Sequence, residues 1–170
     1  MSASAHMPYF IKPSMALSSE DKIEAYRRII SEYQAICGTE DSQMVKMTTI
    51  NCLLKTHLPY AYWVGFYIWN GRRLEVGPYQ GTMGCIYIDL GKGVCGKAAA
   101  TKATQLIEDC HALEQGTEHI ACDPNSQSEI VVPVINSEGE VTSVLDLDST
   151  EKASFDDIDK AHLERLVSLI

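Results

Sequence analysis

The sequence predicts an α+β fold in which an antiparallel sheet of about six strands carries helices packed on one side. Three observations predict it. Apolar residues recur at helical spacing near both ends of the chain, the middle alternates at strand spacing around a two-residue hairpin turn, and the strands follow one another without the long crossover helices of a parallel sheet.

The first helix starts at Ser18-Ser19-Glu20-Asp21, where a hydroxyl can accept from an unpaired backbone N–H and the acids complement the positive end of the helix. Ile23, Tyr26, Ile29, Ile30, Tyr33 and Ile36 then recur every three or four residues, and Gly38 closes the helix. A second helix begins near Asp41-Ser42 and carries Met44, Val45, Met47, Ile50, Leu53 and Leu54 until Pro59 forbids continuation. Residues 62–69, the Asn70-Gly71 turn and residues 72–76 form the strongest hairpin signal in the chain. A third strand is expected over 84–90, with Cys85, Tyr87 and Asp89 on one face. Gly91-Lys92-Gly93 ends it, and 94–101 reads as a short helix. After a brief strand at 105–107, residues 108–127 form a long polar loop of the kind that commonly carries function. Strands at 128–135 and 141–148 follow, joined near Ser137-Glu138-Gly139. A last amphipathic helix starts near Asp156 and carries Ile158, Leu163, Leu166, Val167 and Ile170. Residues 1–17 show no period and read as a flexible arm or as expression-derived sequence around His6-Met7, which leaves 18–170 as one domain.

Composition narrows the function. A chain of 170 residues with 45% hydrophobic content can bury one sizeable core. Its 23 acidic residues against 14 basic ones, a net charge of -9, argue against nucleic acid as a partner. No apolar run approaches the roughly 18 to 20 residues of a membrane span, and no secretory h-region is evident, so a cytoplasmic location is expected. Six cysteines in so apolar a chain do not resemble a secreted disulfide scaffold, and their spacing, without a C-x-x-C, does not match a zinc finger. A zinc centre would have to use His119, Cys122 and Cys110.

The cysteines and a few misplaced acids carry the chemistry. Cys122 lies in His119-Ile120-Ala121-Cys122-Asp123-Pro124-Asn125-Ser126, among turn formers that leave a thiol reachable. Cys95 follows Gly93-Val94 at a helix start near Lys92 and Lys97, and electrostatics alone make it the first choice of nucleophile. Cys85 is compatible with a buried strand filler. Asp146 and Asp148, two residues apart on an otherwise apolar strand, share one face, and Glu129 heads a similar apolar strand. Carboxyls gathered in a half-apolar pocket raise one another's pKa and can stay protonated. A thiolate that attacks a sulfoxide sulfur needs such a proton, because the departing oxygen becomes basic as a cysteine sulfenic acid forms. Trp63 and Tyr67, four apart on one strand, share a face and could wall a pocket for a thioether.

In order along the chain, Trp63-Val64-Gly65-Phe66-Tyr67, Gly77-Pro78-Tyr79-Gln80-Gly81, Gly91-Lys92-Gly93-Val94-Cys95-Gly96, Ile107-Glu108-Asp109, His119-Ile120-Ala121-Cys122-Asp123, Ser128-Glu129-Ile130-Val131-Val132-Pro133 and Val144-Leu145-Asp146-Leu147-Asp148-Ser149-Thr150 resemble one family, the free methionine-(R)-sulfoxide reductases, which are GAF-domain proteins. The resemblance implies that Cys122, not Cys95, is the nucleophile, that Cys85 is the main resolving cysteine, and that Cys95 is a third redox-active thiol. It also implies that Glu129 and Asp148 bind and protonate the sulfoxide oxygen, that Asp109 and Asp146 hold the amino-acid end, and that Trp63 and Tyr67 enclose the methyl group. Reduction by thioredoxin, a homodimer, and neither metal nor organic cofactor are implied as well. Cys110 is an extra thiol able to compete as resolver. The rival reading from another class is a GAF module that senses a small molecule and catalyses nothing.

Overall fold

Two capped helices open the chain in the computed structural model, which describes residues 14–113 and 122–170. Residues 1–13 of the expected arm and residues 114–121 of the polar loop, His119 among them, lie outside the described residues. Ser18 caps helix α1 (Ser19–Ile36) by accepting from the Asp21 N–H, and Ser42 caps α2 (Gln43–His57) by accepting from Val45. The predicted hairpin follows as β1 (Trp63–Trp69) and β2 (Leu74–Gln80). Its turn is held by the Asn70 side-chain oxygen, which accepts from the N–H groups of Arg72 and Arg73, while Gly71 takes a φ of 90° that disfavours other residues. The remaining elements are β3 (Tyr87–Ile88), α3 (Gly93–Thr101), β4 (Gln105–Ile107), a 3-10 turn at Cys110–Ala112, β5 (Ser128–Ile135), β6 (Val141–Ser149) and α4 (Asp157–Val167). The six strands form one sheet in the order β3-β2-β1-β6-β5-β4, and every neighbouring pair is antiparallel.

Strand periodicity separates two cores. On one face Val64 and Phe66 of β1, Ile130, Val132 and Val134 of β5, and Leu145 and Leu147 of β6 pack under α1, α2 and α4. Each fully buried aliphatic side chain there contributes on the order of 1.5–3 kcal/mol of transfer free energy. The three long helices thus cover one side, as the sequence predicts. Short α3 lies across the opposite face, where Val94, Cys95, Ala98 and Ala99 meet Val131 and Val144. A buried polar knot fixes the base of α4: Asp159 accepts from Lys22 Nζ (2.6 Å), Tyr26 Oη (2.8 Å) and Tyr60 Oη (2.6 Å).

One element is shorter than expected. Of residues 84–90 only Tyr87 and Ile88 pair as a strand, opposite Glu75 and Leu74. The alternation of residue types persists beyond them, but after one further backbone hydrogen bond, from Val76 N–H to Ile86 O at 2.9 Å, the pairing stops. Cys85 is bonded to Cys122, and the Asp89–Gly96 segment closes on itself through hydrogen bonds from Gly91 N–H to Gly96 O and from Lys92 N–H to Asp89 O.

Candidate active site

The site lies on the α3 face, because the same alternation that sends Leu145 and Leu147 into the helical core sends Asp146 and Asp148 to the other side. Register then brings acids together from two strands: Glu129 of β5 stands directly opposite Asp148 of β6, and Asp148 in turn stands opposite Trp63 of β1. Asp146 faces Gly65 of β1 and Val131 of β5. Trp63, Tyr67, Cys95, Cys122, Glu129, Asp146 and Asp148 line one cavity that opens at the surface.

Aromatic rings form one wall. Trp63 stacks on Tyr67 with centroids 5.9 Å apart and on Tyr79 at 5.2 Å. Gly65 leaves room for this stack, since a Cβ at that position would collide with the Trp63 ring and with Tyr79. The Trp63 indole N–H donates to the Thr82 carbonyl at 2.9 Å, which fixes the ring against the loop that carries Cys85.

At the mouth, Cys85 and Cys122 are joined by a disulfide, with Cα atoms 5.2 Å apart and well inside the range a disulfide requires. The bond spans 37 residues of sequence and ties the loop after β2 to the turn before β5. Cys122 remains partly accessible. Cys95 is 3% exposed, and burial, with Asp146, Glu129 and Asp148 adding their negative charge, pushes its thiol well up. The helix start and nearby lysines that favour a Cys95 thiolate in the sequence are therefore overridden by desolvation and by acids that only the fold brings near. Cys110, fully buried, points its sulfur at a Glu129 carboxyl oxygen 3.9 Å away, and burial pushes its thiol up too.

The acids are held in a form unusual for neutral water. Burial raises Glu129 well above the usual carboxyl range, and Asp146 and Asp148 raise it further. Burial and Asp148 do the same to Asp146. Asp148 is pushed up to about 7, again chiefly by burial, against a hydrogen bond from Ser126 that lowers it. Around these groups the cavity wall presents no lysine, arginine or histidine among the described residues. Asp146 is 6% exposed and its Oδ1 has no hydrogen-bond partner among the described residues.

Asp109 is placed differently. It lies outside the cavity wall, where Lys152 Nζ pairs with it at 2.6 Å and the His111 N–H donates to it. That pairing, the Lys152 hydrogen bond first, holds its carboxyl below the usual range. Sequence reasoning passed over Asp123, Ser126, Tyr62 and Thr82. Asp123 lines the cavity beside Cys122 and accepts from Tyr62 Oη at 2.7 Å and from Thr82 Oγ1. The Asp123-Pro124-Asn125 turn signature could have flagged the first of these, but nothing local marks Tyr62 or Thr82 as its partners.

Comparison with known proteins agrees with the geometry. The GAF domain family matches residues 60–170, which include all the cavity-lining residues named above. The free methionine-R-sulfoxide reductase of Escherichia coli is 37% identical over 148 residues, 87% of each chain, and that of Saccharomyces cerevisiae is 34% identical over 90% of this chain and 87% of its own. Among solved structures, a free methionine-R-sulfoxide reductase from Neisseria meningitidis in complex with its substrate superposes with a TM-score of 0.81 at 33% identity, covering 94% of this chain and 93% of that one. By fold, by near-full-length similarity and by a cavity that joins two cysteines to three acids, this chain belongs to the GAF-domain family of free methionine-R-sulfoxide reductases.

Proposed function

We propose that this protein reduces free methionine-(R)-sulfoxide to methionine with Cys122 as nucleophile. The observation that carries the reading is the Cys85–Cys122 disulfide at the mouth of a cavity whose floor holds Glu129, Asp146 and Asp148. In the reduced protein the Cys122 thiolate attacks the sulfoxide sulfur. Glu129 or Asp148, protonated near neutral pH for the reasons above, delivers a proton to the oxygen as it leaves sulfur. Methionine departs and Cys122 becomes a sulfenic acid. The Cys85 thiol then attacks the Cys122 sulfur, water leaves, and the disulfide forms.

The substrate's parts match the wall. Its thioether end suits the Trp63–Tyr67 stack, and its ammonium, which on binding favours the ionised form of Asp146, suits that carboxyl in a cavity without a basic side chain among the described residues. Asp109 reaches that end only if its pairing with Lys152 gives way. Cys95 and Cys110 are buried against acids and are secondary thiols in this scheme.

Two electrons must return to the disulfide after each cycle. A dithiol protein of the thioredoxin class supplies them by exchange at the accessible Cys122 sulfur. The working form is a homodimer in the cytoplasm. No helix among the described residues is long and apolar enough to cross a membrane.

The test is NADPH consumption with thioredoxin and its reductase on free methionine-(R)-sulfoxide, the free S epimer and a peptide-bound sulfoxide. Consumption with the free R form alone is expected. Absence of turnover on that substrate, with a chemical dithiol also failing to support it, would overturn the reading.

A further inference from the structure

The side chain next to the nucleophile is occupied on both of its oxygens. Asp123 Oδ1 accepts from the Asn125 N–H at 2.9 Å and from Asn125 Nδ2 at 2.6 Å, while the Ser126 N–H closes the same turn on the Asp123 carbonyl at 3.2 Å. That oxygen therefore shapes the turn on which Cys122 sits. Oδ2 looks the other way and accepts from Tyr62 Oη and Thr82 Oγ1, whose oxygens lie 3.1 Å apart. Thr82 is three residues before Cys85, and its carbonyl accepts from the Trp63 indole. One carboxylate thus joins the turn of the nucleophile, the loop of the resolver and the aromatic wall.

We propose that Asp123, through Tyr62 and Thr82, is a positioning residue that clips the Cys122 turn to the Cys85 loop, so that the two sulfurs stay within bonding reach when the disulfide is open. Burial would raise the Asp123 carboxyl, but the hydrogen bonds from Thr82, Tyr62 and Asn125 outweigh it and keep it ionised, the form that accepts most strongly. Without the clip, the hydrogen bonds that join the two loops among the described residues would be lost, leaving the bond that catalysis must break and remake. Closing that bond from two unrestrained loops carries an entropy cost that a preorganised pair avoids. The role rests on the proposed cycle only in its purpose. The geometric claim concerns the dithiol itself.

The test therefore avoids turnover. Fully folded protein is equilibrated in glutathione redox buffers, and the ratio of Cys85–Cys122 disulfide to dithiol is read by thiol alkylation and mass spectrometry, with Cys95 and Cys110 as internal references. The exchange balances as two glutathione thiols oxidised for one protein disulfide reduced. Thr82→Val keeps the backbone carbonyl that holds Trp63 and removes one donor to Oδ2, and Tyr62→Phe removes the other. Each is expected to lower the equilibrium constant for disulfide formation about tenfold, the effect of one lost charge-assisted hydrogen bond. Thr82→Ser is expected to restore the wild-type value. A mere loss of overall stability would not move this equilibrium within the folded state. An unchanged constant in both Thr82→Val and Tyr62→Phe, or a failure of Thr82→Ser to restore it, overturns the clip. In parallel, release of methionine by the wild-type protein alone reports on the proposed activity, so the two can fail separately.

Discussion

Replacing Asp148 by Asn should make the protein more stable at neutral and alkaline pH, by an amount that follows from the site. In the unfolded chain Asp148 titrates near its ordinary 3.8, and in the folded protein near 7. The folded state therefore holds the proton more tightly, and its stability is fully present below 3.8 and declines as pH rises toward and through 7. Integrating the linkage between pH 5 and pH 8 for that pair of values gives a loss on the order of 2–3 kcal/mol, a shift of several degrees in Tm for a domain of this size. Because Glu129 and Asp146 face Asp148, the titration belongs to the trio, and their own upward shifts add to the decline with the same sign. The assay is thermal unfolding of the reduced wild type and of Asp148→Asn from pH 5 to pH 8. Acids held low by partners, such as Asp123 and Asp156, have the opposite sign and are common to both proteins, so the difference curve isolates the site. A difference that is flat with pH, or a variant that loses stability in parallel with the wild type, would refute the reasoning.

Other consequences are as specific. Asp159→Ala removes the buried acceptor shared by Lys22, Tyr26 and Tyr60 while Lys22 keeps Asp156 and the Ser154 carbonyl, and a loss of about 2–3 kcal/mol in denaturant unfolding is expected, with the cavity untouched. Gly65→Ala drives a methyl into the Trp63 ring and Tyr79. It should raise KM for the sulfoxide more than it lowers Tm, since overpacking costs about 1–3 kcal/mol and falls on the pocket wall. Cys110→Ala should still form the Cys85–Cys122 disulfide on treatment with substrate, as peptide mapping would show, because the Cys110 sulfur faces Glu129.

Most of the fold was legible because its signals are local. Ser18 and Ser42 cap the helices that the apolar period predicts, and Asn70-Gly71 makes the expected hairpin. Alternation also put Asp146 and Asp148 on one face and gave Glu129 its oddity, which is why the acid cluster could be anticipated. What failed to show was what depends on pairing. Residues 84–90 alternate like a strand, yet only two of them pair, because Cys85 and the Asp89–Gly96 turn pull the backbone from the sheet. Electrostatics of the sequence favoured Cys95, whose lysines are adjacent in the chain, whereas the acids that raise its thiol arrive from β5 and β6. Asp109 is drawn outward by Lys152, more than forty residues away in sequence, and Asp123 is tied to Tyr62, a partner just as remote. Tertiary contacts of this range leave no mark on a local pattern.

The most direct measurement is stoichiometry in a single turnover. Reduced, desalted Cys85→Ser protein is mixed with excess free methionine-(R)-sulfoxide without any reductant, methionine is counted by mass spectrometry, and Cys122 is probed with a sulfenic acid trap. One methionine per chain, a trapped adduct on Cys122 and no product from Cys122→Ser are predicted. Equal methionine from Cys122→Ser and from Cys85→Ser, or an oxidised sulfur located elsewhere, would contradict the account.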